Sequence, residues 1–421
     1  MDIIKLAKQE EQRLIQYRRY LHENPELSGQ EFNTLRFIKK ELSSMSIPFM
    51  EVEEGGILGF IDSGKKGKTV MLRADIDALP IDEDPLNTKG LPKPCVSKVK
   101  GVQHACGHDA HTAILLTAAK ILTENKEAFI GKVVLCFERG EEANGNIFYL
   151  LKYFEDNKMV FDSCFGLHVG SFVKEKTGSL VVRAGSFMAG MTAFKVTLKG
   201  QGGHGSRPDI ANNPIDCFSS INESLAKLRM KKINPFSPVT YSIGYISAGA
   251  KSNVIPDYLT FAGTIRYFDL KSVGRLFLSE MQKVIDHTAQ IYDCKVKYDE
   301  IFIPGYPLVN NQACADIAKR AFIELFGEVK DSEPLLGTES FSFYLQKTPG
   351  VFVVLCTDNE EKGIKADHHT AQFDVDEAVL YKGVCAHVGY AVTFLNGDDK
   401  IEFTPNTMSV DEILTECGKK E

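Results

Sequence analysis

One change of pattern constrains this chain more than anything else in it. Up to about residue 187 helical and strand-like stretches alternate, from 188 to 303 the order becomes strand, helix, strand, strand, helix, strand, and from 304 the first pattern resumes. In the first stretch, residues 3–22 and 31–46 carry apolar positions at helical spacing on either side of the turn-like NPELSG. Strand-like runs follow at 57–62 and 69–72, then a buried helix at 110–124, the apolar strand KVVLCFE at 132–138, a helix at 147–156 and a strand at 161–170. Central strands alternating with covering helices predict an α/β layer with an at least partly parallel sheet. The middle segment reads as the βαββαβ, ferredoxin-like unit. Helices near 311–326, 339–346 and 376–395 and the strand GVFVVLC at 350–356 complete the chain, and the polar tail 397–421 carries no assignable pattern. The expected fold is therefore a discontinuous α/β domain, 1–187 and 304–421, with an inserted α+β domain at 188–303.

Composition removes several functions. The 49 basic against 56 acidic residues leave a net charge of −7 and no Lys/Arg-rich block, so nucleic acid is not expected as a partner. No uninterrupted apolar run approaches the ~18 residues that span a bilayer, and the N-terminal stretch becomes charged too early for a signal peptide. A cytoplasmic protein without a membrane partner is expected. The ten cysteines form no CxxC pair, and several lie inside apolar runs, which predicts buried thiols rather than a disulfide framework.

Chemistry concentrates in short motifs. HACGHDAH, residues 104–111, sets Cys106 and His108 two apart on a loop at the mouth of a helix, so both side chains can turn to one point, and Asp109 is placed to cap that helix. Glu141 and Glu142 follow the strand KVVLCFE, where open α/β sheets carry their sites. In extended chain they point to opposite sides, one toward a metal and the other toward a bound water. His168 closes the next strand, and His368-His369 lie in a loop after GVFVVLC. One Cys, several His and a Glu at the loop positions of one sheet predict a transition-metal site. HExxH and GxSxG are both absent, which removes the helical zincin and the serine-hydrolase elbow. GQGGHG at 200–205 matches GxGxxG, but SRPDIANNP follows it with two prolines before any helix, so a nicotinamide oxidoreductase has little support.

Together these motifs resemble the M20 metallopeptidase family, in its amidohydrolase branch of hippurate, N-acyl-amino-acid and auxin-conjugate hydrolases. The resemblance runs in order through LHENPELSGQE (21–31), LRADIDALPI (72–81), HACGHDAHTA (104–113), GEE (140–142), LHVG (167–170), GGHGSRP (202–208), SNVIPD (252–257), GTIRYFD (263–269) and HHTAQFDVDE (368–377). It implies two divalent metal ions per subunit, Zn first with Mn, Co or Ni as alternatives, ligated by Cys106, His108, Glu142, His168 and His369. Of the paired histidines His369 is chosen because HTAQF is similar to the family's H-S/T-P-x-F block. Glu141 matches the general base, His204 a residue that reaches a neighbouring subunit's site, and Asn253 and Arg266 substrate-side positions.

The chain departs from the family pattern at Arg139-Gly140, where Pro-Ala is usual, at Ser340, and at Ala371 after the last ligand. These bear on the loop around Glu141 and on substrate preference. The resemblance implies hydrolysis of the amide of an N-acyl amino acid by metal-activated water, with Arg266 receiving the amino-acid carboxylate. The alternatives are a dipeptidase or aminobenzoyl-glutamate-type carboxypeptidase and, in a different class, a non-catalytic metal-binding protein. The inserted domain's strands at 239–249 and 258–269 offer an edge for a homodimer.

Overall fold

The computed structural model describes residues 1–143 and 145–419; residues 144, 420 and 421, the last two closing the expected segment 304–421, lie outside the described residues. The chain forms two compact units: residues 1–187, 309–334 and 343–410, and residues 188–308, 335–342 and 411–421. The second unit therefore takes in 304–308, 335–342 and 411–419, which the sequence reading assigned to the first. The polar tail contains a helix, Val410–Glu416, and the carbonyl of Cys417 just beyond it accepts from Ile303 N at 2.9 Å, adding this segment to the second unit.

The first unit is built on a seven-stranded sheet. Its order is Phe49–Val52, Gly56–Asp62, Lys132–Glu138, Thr69–Asp75, Ser163–Gly170, Gly350–Cys356 and Leu180–Val181. The four central strands from Lys132–Glu138 to Gly350–Cys356 run parallel, and each flanking strand pairs antiparallel with its inner neighbour. Ser163–Gly170 and Gly350–Cys356 are buried at every residue, as continuous apolar strands must be when helices cover both faces. The core joins these strands to the helices His108–Glu124, Gln312–Phe326 and Leu380–Asn396 through Leu72, Leu115, Phe165, Phe322, Val353 and Tyr390. The segment Glu377–Asn396, interrupted by Lys382 and His387, is long and apolar enough to cross a membrane by length and composition alone, and 67% of its apolar 18-residue window is buried inside the protein.

The periodic stretch 3–22 is two helices, Ile3–Gln9 and Glu11–Glu23, interrupted at Glu10. The stretch 339–346 is a 3-10 turn, Ser340–Phe343, and one α-turn, Tyr344–Lys347, rather than one helix.

The second unit carries a four-stranded antiparallel sheet in the order Val239–Ala248, Tyr258–Tyr267, Gly190–Lys199, Lys295–Gly305. With the helices Pro214–Lys232 and Arg275–Ile291 the chain order is βαββαβ. Burial alternates along Gly190–Lys199, and its inward residues Phe194, Val196 and Leu198 join Ile221 and Leu225 of one helix and Phe277, Met281 and Ile285 of the other.

Candidate metal centre

The parallel strands bring their carboxyl ends to one edge of the sheet. Asp75 is in register with Glu138, and Gly170 with Cys356. Open α/β sheets place their sites outside these ends, and three of the segments with candidate residues leave from them: 76–77, 139–142 and the loop that reaches His369.

The helix His108–Glu124 begins at this edge behind Gly107, whose φ of +88° is left-handed and whose added Cβ would stand 2.5 Å from Val169 Cγ2. Only glycine allows the HACG turn to press so closely on the neighbouring strand. His108 then enters the site with Nδ1 3.0 Å from Asp77 Oδ1, while its buried Nε2 has no hydrogen-bond partner among the described residues. A carboxylate on one ring nitrogen fixes the tautomer that leaves the other as a metal donor. One turn on, His111 Nδ1 bonds Asp75 Oδ1 at 2.5 Å and its Nε2 accepts from Val169 N at 2.9 Å, so this imidazole is fully occupied.

Around His108 the other candidates converge. Cys106 Sγ lies 3.5 Å from His168 Nε2, and His168 Nδ1 donates to the Val169 carbonyl at 2.7 Å, turning Nε2 toward the thiol. His369 Nε2 lies 3.2 Å from Glu142 Oε1, which is 4.0 Å from His108 Nε2. Among the described residues, four donor sets have ligand atoms within 4.8 Å of one another: Cys106, His108 and His168; Cys106, Glu142 and His369; His108, Glu141 and Glu142; and Asp75, His108 and His111. The sets share members, as donors serving adjacent ions would. His368 belongs to none of these sets, although its ring lies 5.4 Å from that of His168. It stacks on Phe172 at 3.9 Å, and its Nε2 bonds the Val169 carbonyl at 3.1 Å.

Glu141 and Glu142 do not diverge as they would in extended chain. They occupy a turn that carries both carboxylates to His108. Asp109 does not cap its helix either. Gly107 occupies that position without a side-chain bond, and Asp109 Oδ2 binds Arg18 Nε at 2.9 Å and His22 Nδ1 at 2.7 Å in a buried network that extends to Asp374 and Glu377.

Electrostatics favour a cation here. Burial pushes the Cys106 thiol well above its usual pKa, and Glu142 adds to the rise. Burial also holds His168 well below its usual value, with His111 and His368 contributing. For His108 burial opposes the imidazolium, but Asp75, Cys106 and Asp77 outweigh it and the pKa is raised. A buried thiol, an orphaned imidazole nitrogen and two carboxylates form a mixed S, N and O donor set that a divalent transition metal satisfies.

Sequence reasoning missed Asp75, Asp77 and His111. The signal was present in ADID, where two acids alternate at the end of an apolar strand, and in HDAH, where the histidines are three and not four apart and so meet those acids from one helix face.

His204, Asn253 and Arg266 belong to the second unit. His204 pairs with Val254 in a two-stranded ribbon, and Gly205 N donates to the Asn253 carbonyl at 2.9 Å, so these two are neighbours. Arg266 is not with them. It stands eight residues along the strand from Tyr258, about 26 Å at normal strand rise, and its guanidinium bonds Thr338 Oγ1 at 2.7 Å. GQGGHG opens no helix: a 3-10 turn, Pro208–Ile210, follows it, and the helix starts only at Pro214.

A model of peptidase family M20/M25/M40 matches residues 71–392. The chain belongs to this family. Thermostable carboxypeptidase 2 of Saccharolobus solfataricus is 38% identical over 410 residues, covering 94% of this chain and 100% of that protein. N-acetyl-L-cysteine deacetylase of Bacillus subtilis is 34% identical over 374 residues, covering 88% and 86%. A solved structure from Bacillus subtilis, described as a dinuclear metal binding peptidase of the M20 family, matches with a TM-score of 0.77 and 29% identity over 92% of this chain and 99% of that one. This M20 member is a metal-binding hydrolase of amide bonds, and the non-catalytic and nicotinamide alternatives fall.

Proposed function

We propose that the enzyme hydrolyses N-acyl amino acids to a carboxylic acid and a free amino acid, with Glu141 as general base and Cys106, His108, Glu142, His168 and His369 holding two divalent ions. The observation that carries this reading is the group formed by His108, Glu141 and Glu142, which sets a second carboxylate beside the donor set. Metal held there supplies Lewis-acid activation of a water and of the substrate carbonyl. Glu141 takes the proton of the attacking water as its oxygen bonds to the carbonyl carbon, and delivers that proton to the amine nitrogen as the C–N bond breaks. Burial of Glu141, 8% exposed, keeps this proton from bulk solvent. Arg266 receives the amino-acid carboxylate. His204 and Asn253, at the far end of the strand from Arg266, serve the site of a second subunit, which requires a homodimer. The thiolate and imidazoles favour Zn, with Mn, Co and Ni as the other candidates.

The relative named N-acetyl-L-cysteine deacetylase supports the acyl amino acid reading. The relative named carboxypeptidase favours a peptide substrate as the second one. The protein, reconstituted in turn with each of the four metals, is assayed on N-acetyl, N-benzoyl and indole-acetyl amino acids beside dipeptides and aminobenzoyl-glutamate. Higher kcat/KM on an acyl amino acid supports the reading. Higher kcat/KM on dipeptides replaces it with the peptidase, and no hydrolysis with any metal overturns both.

A further inference from the structure

The motif LHENPELSGQE has no part in the chemistry above, and neither has the Arg139-Gly140 pair that departs from the family's Pro-Ala. The structure joins the two. Glu31 is fully buried, and its carboxylate accepts from Gly140 N at 2.8 Å and from Arg139 Nε at 2.8 Å. Arg139 also donates to the Gly29 carbonyl at 2.7 Å, and its guanidinium lies 5.5 Å from the Phe32 ring. Ser28 of the same motif donates to Asp77 Oδ2 at 2.6 Å, and that oxygen accepts from Glu142 N at 3.0 Å. The turn carrying Glu141 is thus tied on both sides, by Glu31 through Gly140 and by Asp77 through Glu142. Gly140 has a φ of +62°, and a Cβ there would meet Asn146 Oδ1 at 2.3 Å, so the usual alanine does not fit this turn.

We propose that Glu31 is a positioning residue for Glu141, fixing the turn of the base through the peptide N–H of Gly140 and the guanidinium of Arg139. Its carboxylate bonds the residue immediately before the base. Losing it shifts the base and leaves the metal in place. A base displaced by an ångström slows the chemical step while substrate binding stays the same. The inference rests on Glu141 being the base.

The test compares E31Q, E141Q, E31Q/R139Q and E31Q/E141Q on whichever substrate the panel selects, with metal content and thermal melting measured on each. E31Q/R139Q removes both buried charges and keeps the fold if E31Q alone loses it. The expected result is a fall in kcat of about 10- to 100-fold in E31Q or E31Q/R139Q, with KM within twofold and metal content unchanged. In the E141Q background E31Q costs nothing further. E31Q/R139Q with kcat within twofold of wild type, or E31Q/E141Q slower than E141Q by the full E31Q factor, overturns the positioning role alone. E141Q at near wild-type rate overturns the base assignment and this inference with it.

Discussion

Asp77 holds His108 from behind: Oδ1 lies 3.0 Å from the ring Nδ1, and the opposite nitrogen, buried and without a hydrogen-bond partner among the described residues, faces the donor set. Asp77→Asn keeps the size of the side chain and loses the charge that fixes this tautomer. Metal affinity is expected to fall about 10- to 100-fold, read by competition with a chromophoric chelator. An unchanged affinity would show that the imidazole is oriented by packing alone.

Gly107 lets the metal-binding turn approach the strand Ser163–Gly170. Gly107→Ala forces a Cβ to 2.5 Å from Val169 Cγ2 at a φ of +88°, a strain and overpacking cost of about 1–3 kcal/mol in urea unfolding. Adding Val169→Ala should recover the steric part and leave the backbone part.

His387 lies wholly buried against the Phe165 ring at 4.9 Å, and burial pushes its pKa down to about 3. Unfolded, it titrates near 6.5. Between those values the unfolded chain binds the extra proton, so this residue's contribution to stability is present above pH 6.5 and is lost as pH falls toward 3, by up to about 1.4 kcal/mol per pH unit. Urea unfolding of wild type and His387→Leu at pH 7 and pH 5 tests the sign. The variant should lose less stability on acidification, and parallel losses would remove His387 as a source.

The strand Val239–Ala248 ends the second unit's sheet, with Tyr245 and Ile246 about half exposed. If this edge joins two subunits, Ile246→Lys converts a dimer to a monomer in sedimentation and lowers activity, because His204 no longer reaches a partner. A wild-type protein that is monomeric and fully active removes both the dimer and the role of His204 across it.

The central strands were legible because burial on both faces leaves runs such as KVVLCFE and GVFVVLC with no helical or alternating alternative of that length. The break at Glu10 was not, since apolar spacing is blind to one residue leaving the helix. Nor was the two-residue edge strand Leu180–Val181, which is too short to carry a period. For the candidate site, residue type singled out Cys106 and His108 on a loop at the mouth of a helix, and position at or after the end of a strand singled out His168, the Glu141-Glu142 pair and His368-His369. Asp77 and Glu31 escaped because what marks them is a partner more than 30 residues away, His108 for one and Arg139 for the other. The orientation of the glutamate pair was misread because a turn and an extended segment carry the same letters.

The acids Asp75 and Asp77 leave one strand two residues apart and engage His108 and His111, three apart on one helix. Together they key the helix to the sheet like two pins of a plug: a one-residue slip would turn the helix by about 100° and lose both contacts. Both contacts are made between protein side chains, so the register of the helix against the sheet and the aim of the His108 ring are set by the polypeptide.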